Sequence, residues 1–281
     1  MRPRQWVKNG IIFAAMVFDG QLTNPDILLR TIAGAILFSM LSGSVYIIND
    51  LIDIEADKKH PKKSKRPIAS GKLPIPIALT TAVSLLLFAV AAGYWLSFRF
   101  SIILVIYFVM QLAYSTRLKH IPLIDVLIIS AGFVLRVAGG VSLIAVERFS
   151  PWLYVITSLA TLYVGFGKRR AEIIMLGENA NSHRRVLEGY NLPLLDQLIT
   201  IVSSTTIISY SFYTFSAPNL PTNHAMMLTI PFVMYGIFRY MYLIHVKKEG
   251  GIPEDLLYSD RPLQATIVAW GLSVLLIFYV F

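Results

Sequence analysis

The chain has 281 residues, 56% of them hydrophobic, and a mean hydropathy of +0.63, which excludes a water-soluble domain and gives the makeup of a multi-span helical membrane protein. It has no cysteine, so disulfides, thiolate metal sites and cysteine nucleophiles are excluded together. A formal charge of +9 does not point to nucleic acid, because the cations lie in short loops between apolar runs, the pattern that sets membrane orientation.

Segments of about 17 to 25 apolar residues can cross a hydrocarbon core. In chain order they are predicted at Pro3–Phe18, Ile27–Ile48, Ile75–Leu96, Ser101–Tyr114, Leu123–Ile144, Trp152–Phe166, Leu194–Phe215, Met226–Val246 and Leu263–Phe281. The basic start, Met1-Arg2-Pro3-Arg4-Gln5-Trp6, has no small-residue cleavage site after it and reads as an uncleaved first span, with Lys8 snorkelling toward the interface. The connections alternate in character: Asp19–Asp26 and Ser216–His224 carry no Lys or Arg, whereas 20 of the 25 cations fall on the opposite side. The positive-inside rule therefore puts the N-terminus and the polar loops Asp50–Leu73, Lys168–Leu192 and Lys247–Pro262 in the cytoplasm and Phe281 on the far side, which requires an odd number of spans. The expectation is an all-α polytopic membrane protein of nine transmembrane helices, forming a single domain over residues 1–281.

The second predicted span closes on Asn49-Asp50-Leu51-Ile52-Asp53-Ile54-Glu55-Ala56-Asp57, followed by the cationic run Lys58–Arg66. If the helix continues through Asp57, then at ~100° per residue Asn49, Asp50, Asp53 and Asp57 fall within an arc of roughly 100°, and Glu55 points the opposite way. Stacked like charges are destabilising without a cation. Three carboxylates and an amide on one face suit Mg²⁺, which takes one or two carboxylates plus substrate phosphate oxygens. Bound there, it neutralises charge on a departing diphosphate. Juxtamembrane solvation is the alternative for the acids, and an orientation signal or anionic-lipid contact for the cations.

Further along, Tyr114-Ser115-Thr116-Arg117-Leu118-Lys119 joins two spans, and Asp125, Gly132 and Arg136 share one helical face. Arg136 and Arg239 fall inside spans, where an Arg usually faces a cavity or a partner. Internal pairing and anion binding are equal readings of both. Gly167-Lys168-Arg169-Arg170-Ala171-Glu172 is basic where a second acidic metal site was to be expected, and Arg recognises phosphate well. His60, His120 and His183 lack ligand spacing and read as loop residues.

These residues resemble the UbiA superfamily of intramembrane prenyltransferases, whose first Asp-rich motif closes the second helix as Asn49, Asp50, Asp53 and Asp57 do here. Arg2–Asn9, Tyr114–Lys119 with Asp125 and Gly132–Arg136, and Lys168–Glu172 look like its decaprenyl-phosphate phosphoribosyltransferase branch. The resemblance implies helices around a central cavity in the plasma (inner) membrane of a prokaryote. It also implies Mg²⁺-dependent transfer of 5-phosphoribose from 5-phosphoribosyl 1-diphosphate to a polyprenyl phosphate of decaprenyl type, releasing diphosphate and feeding a cell-envelope arabinose donor pathway. On that reading Asp50, Asp53 and Asp57 hold Mg²⁺ and diphosphate, with Asn49 as an orienting ligand or ribose contact. Lys58 and Arg66 are candidates for the donor phosphates, Lys8 is substrate-binding, and Tyr114, Lys119, Asp125 and Arg136 line the cavity, Asp125 accepting from a ribose hydroxyl or orienting a cation. Lys168, Arg169 and Arg170 take phosphate. Membrane lipid is the remaining partner, and oligomeric state is left open, a homo-oligomer included.

Two rivals stand beside it. Transfer of a prenyl group from a prenyl diphosphate to an aromatic or lipid acceptor fits the wider superfamily, but Lys168-Arg169-Arg170 replaces the second acidic motif that this chemistry uses. A transporter of anionic metabolites also fits cations among helices, but the polar loops cluster on one side and no matching pair of Gly/Pro-broken helices is seen in two halves.

Overall fold

The computed structural model describes residues 3–59, 63–144, 150–176, 185–218, 220–249 and 253–280. Among the described residues every regular element is helical. Seven helical segments there are long and apolar enough to cross a bilayer: Pro25–Ile52, Ile75–Leu96, Phe98–Thr116, Ile124–Leu143, Leu192–Ser216, Ala225–His245 and Arg261–Tyr279. They correspond to seven of the nine predicted spans. The first predicted span is built instead as a 3₁₀ helix, Pro3–Phe13, running into a short α-helix, Ala14–Phe18. Asn9 and Gly10 are weak α-formers at its centre. The sixth is a longer helix than predicted, Trp152–Leu176. Lys168, Arg169, Arg170, Ala171 and Glu172 are good helix formers that carry the helix past the apolar run, and their charges dilute its hydropathy.

Large apolar side chains cover the outside of these helices. Leu87, Phe88, Trp95, Phe98 and Val109 each expose more than half of their surface, as a lipid-facing belt requires.

The chain divides into two compact units. The first comprises residues 1–16, 21–119 and 135–145. Its long helix Pro25–Ile52 starts where Asn24 accepts from the N–H groups of Asp26 and Ile27, with Pro25 in the first turn. Ile75–Leu96 and Phe98–Thr116 meet at a corner of one residue: the Ser97 N–H closes the first helix on Gly93 O, while its hydroxyl accepts from Phe100 N of the second. Arg30 Nη2 donates to Leu96 O at 2.8 Å, satisfying a carbonyl at that corner. Phe38, Leu41, Phe100, Leu104 and Tyr107 form the core, together with Leu143 from the end of Ile124–Leu143. A Cβ at Gly140 would lie 2.1 Å from the backbone oxygen of Ile12, so the N-terminal segment crosses this helix at a point where only glycine fits.

The second unit comprises residues 17–20, 120–134 and 146–281. Its main core joins Val126, Tyr163, Phe166, Val186, Leu187, Tyr190, Leu195, Ile199 and Leu243. Gly189 lets the turn Arg185–Gly189 press on Pro122, whose Cγ a Cβ there would meet at 2.1 Å. Ile124–Leu143 thus begins in one unit and ends in the other.

Candidate active site

The acidic stretch forms almost as expected. Pro25–Ile52 ends at Asp53, whose N–H still bonds Asn49 O, and a new helix, Ile54–Lys59, begins one residue later with Asp57 N on Asp53 O at 2.8 Å. Helical pairing continues across this break, and one cation joins Asp50 to Asp57 while a second pairs with Asp53. Arg66 Nη1 lies 3.0 Å from Asp50 Oδ1 and 2.5 Å from Asp57 Oδ2. Lys119 Nζ reaches both oxygens of Asp53, at 2.9 and 3.2 Å, and Asn49 Nδ2 donates to Asp53 Oδ2 at 3.3 Å.

The sequence explains how each cation is delivered. Arg66 follows the short turn Lys63–Lys65 and bonds its N–H to Lys63 O. Two residues on, Ile68 is buried against Ile47, Ala78 and Ala82, which anchors this segment to the apolar face of the helices beside it. Lys119 sits in the turn Leu118–His120 after Phe98–Thr116, and Tyr114 is half-buried in the last turn of that helix.

The carboxylates differ in access: the Asp57 side chain is 3% exposed, Asp50 16% and Asp53 30%. One guanidinium nitrogen, Arg66 Nη1, sits where Asp50 and Asp57 converge. Hard oxygen donors around a cation fit Mg²⁺. Among the described residues no three acidic or histidine side chains come together on one point, so a Mg²⁺ ion here would be held directly by one or two of these carboxylates, with its other positions left to phosphate and water oxygens.

Other expected residues are placed differently. Lys58, expected on donor phosphate, is exposed and pairs at 2.7 Å with Glu55, the acid expected to point away from the other carboxylates. Arg136 is buried: Nε donates to Asn9 Oδ1 at 2.7 Å, Nη2 to Tyr107 at 2.8 Å, and the guanidinium lies 4.9 Å from the Tyr107 ring and 5.4 Å from that of Phe38. Asn9 in turn donates to Ser39 at 2.8 Å. Packing of the N-terminal segment is thus the first task of Arg136, and Lys8, next to Asn9, is half-buried. Tyr107 and Ser39 were missed because a single polar side chain in an apolar helix carries no partner signal.

In the second unit the basic stretch closes onto carboxylates. Arg169 Nε lies 2.7 Å from Asp125 Oδ2 and Nη1 lies 2.6 Å from Glu172, with Arg169 1% and Asp125 0% exposed. Tyr190 donates to the other Asp125 oxygen at 2.7 Å and accepts from Leu123 N, where φ is +67°. Burial, then the hydrogen bond to Asp125, pushes the Tyr190 phenol above its ordinary range. Arg170 Nε bonds Asp196 at 2.6 Å and Nη1 bonds Ile244 O at 2.9 Å. Arg169 and Arg170, expected on phosphate, are therefore engaged by protein groups, and Asp125 orients a cation rather than facing a ribose. Asp196 escaped notice because it lies 26 residues beyond Arg170. Lys168 is half-buried, and Gly167 before it in the chain packs against Tyr240. Arg239 is resolved in favour of pairing, since both its Nε and Nη2 bond Asp260, at 3.1 and 2.8 Å. His120 is exposed, while His60 and His183 lie outside the described residues.

A model of the UbiA prenyltransferase family matches residues 10–253. The chain belongs to that family. Among its UbiA relatives, a decaprenyl-phosphate phosphoribosyltransferase of Corynebacterium glutamicum is 31% identical over 286 residues, covering 100% of this chain and 86% of the relative. One from Mycobacterium tuberculosis is 32% identical over 282 residues, covering 98% and 91%. A solved UbiA homologue from Archaeoglobus fulgidus, bound to GPP and Mg²⁺, matches with a TM-score of 0.75 at 18% identity and covers 98% of this chain and 97% of its own. At that identity the likeness establishes the shared UbiA fold. Family and apolar helices together make this UbiA protein an integral membrane protein.

Proposed function

We propose that this UbiA-family protein transfers 5-phosphoribose from 5-phosphoribosyl 1-diphosphate to a polyprenyl phosphate. A phosphate oxygen of the lipid forms a bond to C1 of the ribose while the bond from C1 to the diphosphate oxygen breaks, and diphosphate leaves. The acceptor is already an anion, so no strong general base is needed. Direct displacement with oxocarbenium-like charge on C1 inverts the anomeric centre.

The observation that carries this reading is the presence of one acidic stretch, Asn49–Asp57, with Lys168-Arg169-Arg170 in the place of a second one. Its relatives named for decaprenyl-phosphate phosphoribosyl transfer match it over nearly its whole length. Asp50, Asp53 and Asp57 would together serve Mg²⁺ and the diphosphate, one or two of these carboxylates holding the ion directly, and the ion when bound supplies positive charge to the departing diphosphate. Arg66 and Lys119 already touch those carboxylates and are candidate cations for diphosphate oxygens. Lys8 and Lys168 are retained for the other phosphates, while Arg169 and Arg170 fix the backbone that carries Lys168. The positive-inside pattern supports cytoplasmic donor loops in a plasma membrane, and the lipid-borne pentose phosphate would supply an envelope arabinose donor.

The test is purified protein in detergent with labelled phosphoribosyl diphosphate, Mg²⁺ and polyprenyl phosphate, followed by lipid extraction. Label in the lipid phase is expected. No labelled lipid with any chain length, alongside product from a prenyl diphosphate and an aromatic or lipid acceptor, would replace this reading with prenyl transfer.

A further inference from the structure

The Asp57 carboxylate is almost fully covered, and Arg66 is bonded to it. The Asp57 side chain is 3% exposed, its Oδ2 lies 2.5 Å from Arg66 Nη1, and the same nitrogen holds Asp50 Oδ1 at 3.0 Å. The Arg66 side chain is itself 25% exposed, so it is not enclosed by protein on all sides. Lys119, 18% exposed, holds Asp53 in the same way. A metal ion binding Asp57 Oδ2 must compete with Arg66, and one binding Asp53 must compete with Lys119, because like charges at contact distance repel.

We propose that Arg66 and Lys119 are exchangeable counter-cations, which seal the acidic stretch while it lacks a metal and pass to phosphate oxygens when metal and diphosphate enter together. The proposal rests on the reading of Asp50, Asp53 and Asp57 as the metal and diphosphate site. Charge accounts for the direction of the exchange. Metal alone must expel Arg66 from two carboxylates into water, where nothing replaces them. Metal carrying a diphosphate brings the anion that Arg66 and Lys119 then bind, so each lost ion pair is replaced by another charge-assisted contact. The anchoring of Ile68 keeps the backbone of Arg66 in place, so the exchange needs only its side chain to swing. The consequence is selectivity: the site discriminates against free divalent ions and closes properly only around a metal diphosphate. By linkage, whatever factor Arg66 costs the metal, the metal costs Arg66.

The experiment is a Mn²⁺ titration of the full-length protein in phosphate-free detergent buffer, read by loss of the free-ion electron paramagnetic resonance signal, with and without inorganic diphosphate. Arg66→Ala should bind Mn²⁺ alone more tightly than wild type, on the order of tenfold within the usual range of coupled sites, and should bind diphosphate less tightly at saturating Mn²⁺. Arg66→Lys, which keeps a cation but not the fork, should lie between the two on both measures, and it serves as the test if Arg66→Ala does not fold. Unchanged or weaker affinity for Mn²⁺ alone in both variants overturns the exchange and leaves Arg66 as a simple diphosphate clamp. Failure of the functional reading looks different: the opposed effects on metal and diphosphate persist, but no label passes from phosphoribosyl diphosphate to lipid.

Discussion

Arg169 Nε lies 2.7 Å from Asp125 Oδ2, and neither side chain has more than 1% of its surface exposed. Each charge is kept inside the protein by the other, with Tyr190 and Glu172 taking up remaining bonds. Removing one member leaves an uncompensated buried ion. Arg169→Ala is therefore expected to destabilise the protein by about 3–5 kcal/mol, whereas Arg169→Met with Asp125→Leu should recover much of that loss. Thermal unfolding in detergent, compared across the cycle, measures the coupling. A stable Arg169→Ala protein that fails only in phosphate binding would return Arg169 to the substrate.

Asp53 has the opposite character. Its side chain is 30% exposed at the end of a helix and pairs with one lysine. Asp53→Asn should leave the fold intact and reduce turnover on the order of 100-fold or more, because it removes a charge that a metal ion needs. Parallel measurement of melting temperature and of labelled lipid checks both halves. Turnover that persists with Mg²⁺ dependence unaltered removes Asp53 from the metal set.

Gly140→Ala places a methyl group 2.1 Å from Ile12 O, a backbone atom that cannot swing aside. Overpacking of this kind costs about 1–3 kcal/mol. Gly10→Ala, whose Cβ meets nothing within 4 Å, is the matched control and should be close to neutral by thermal unfolding.

Acid should act at Asp260, which caps the helix Arg261–Tyr279 through Leu263 N. The Arg239 guanidinium bonded to it holds its carboxyl below the ordinary range, with the Leu263 N–H adding to the effect. A carboxyl depressed in the folded state contributes stability that is fully present above its unfolded value of about 4 and is lost as pH falls through the folded value. Wild-type stability should thus decline from about pH 4 downward, and Asp260→Asn should show a shallower decline from a lower starting point. Identical pH profiles for the two proteins would remove this pair from the acid response.

The acidic face was legible because it is local. Asn49, Asp50, Asp53 and Asp57 follow helical spacing, and a period of 3.6 survives the break at Asp53. The partners were not legible. Arg66 reaches Asp50 across 16 residues, Arg169 reaches Asp125 across 44 and Arg136 reaches Asn9 across 127, and nothing in one side chain names its mate at such distances. Hydropathy also misjudged Trp152–Leu176, since a run of charges ends an apolar segment without ending a helix. Asp125 and Arg136 share a helical face by spacing, yet they belong to different units and serve different partners.

Ser97 closes one helix and opens the next with no residue between, so this corner contains no slack. It therefore fixes the rotational phase of Phe98–Thr116. One residue inserted there, with the preceding helix unmoved, would turn everything after it by ~100° and advance it by ~1.5 Å. Tyr107 would leave Arg136, and in the turn that follows the helix Lys119 would leave Asp53. A corner on the opposite end of the helix thus sets the angle at which the acidic stretch meets its lysine.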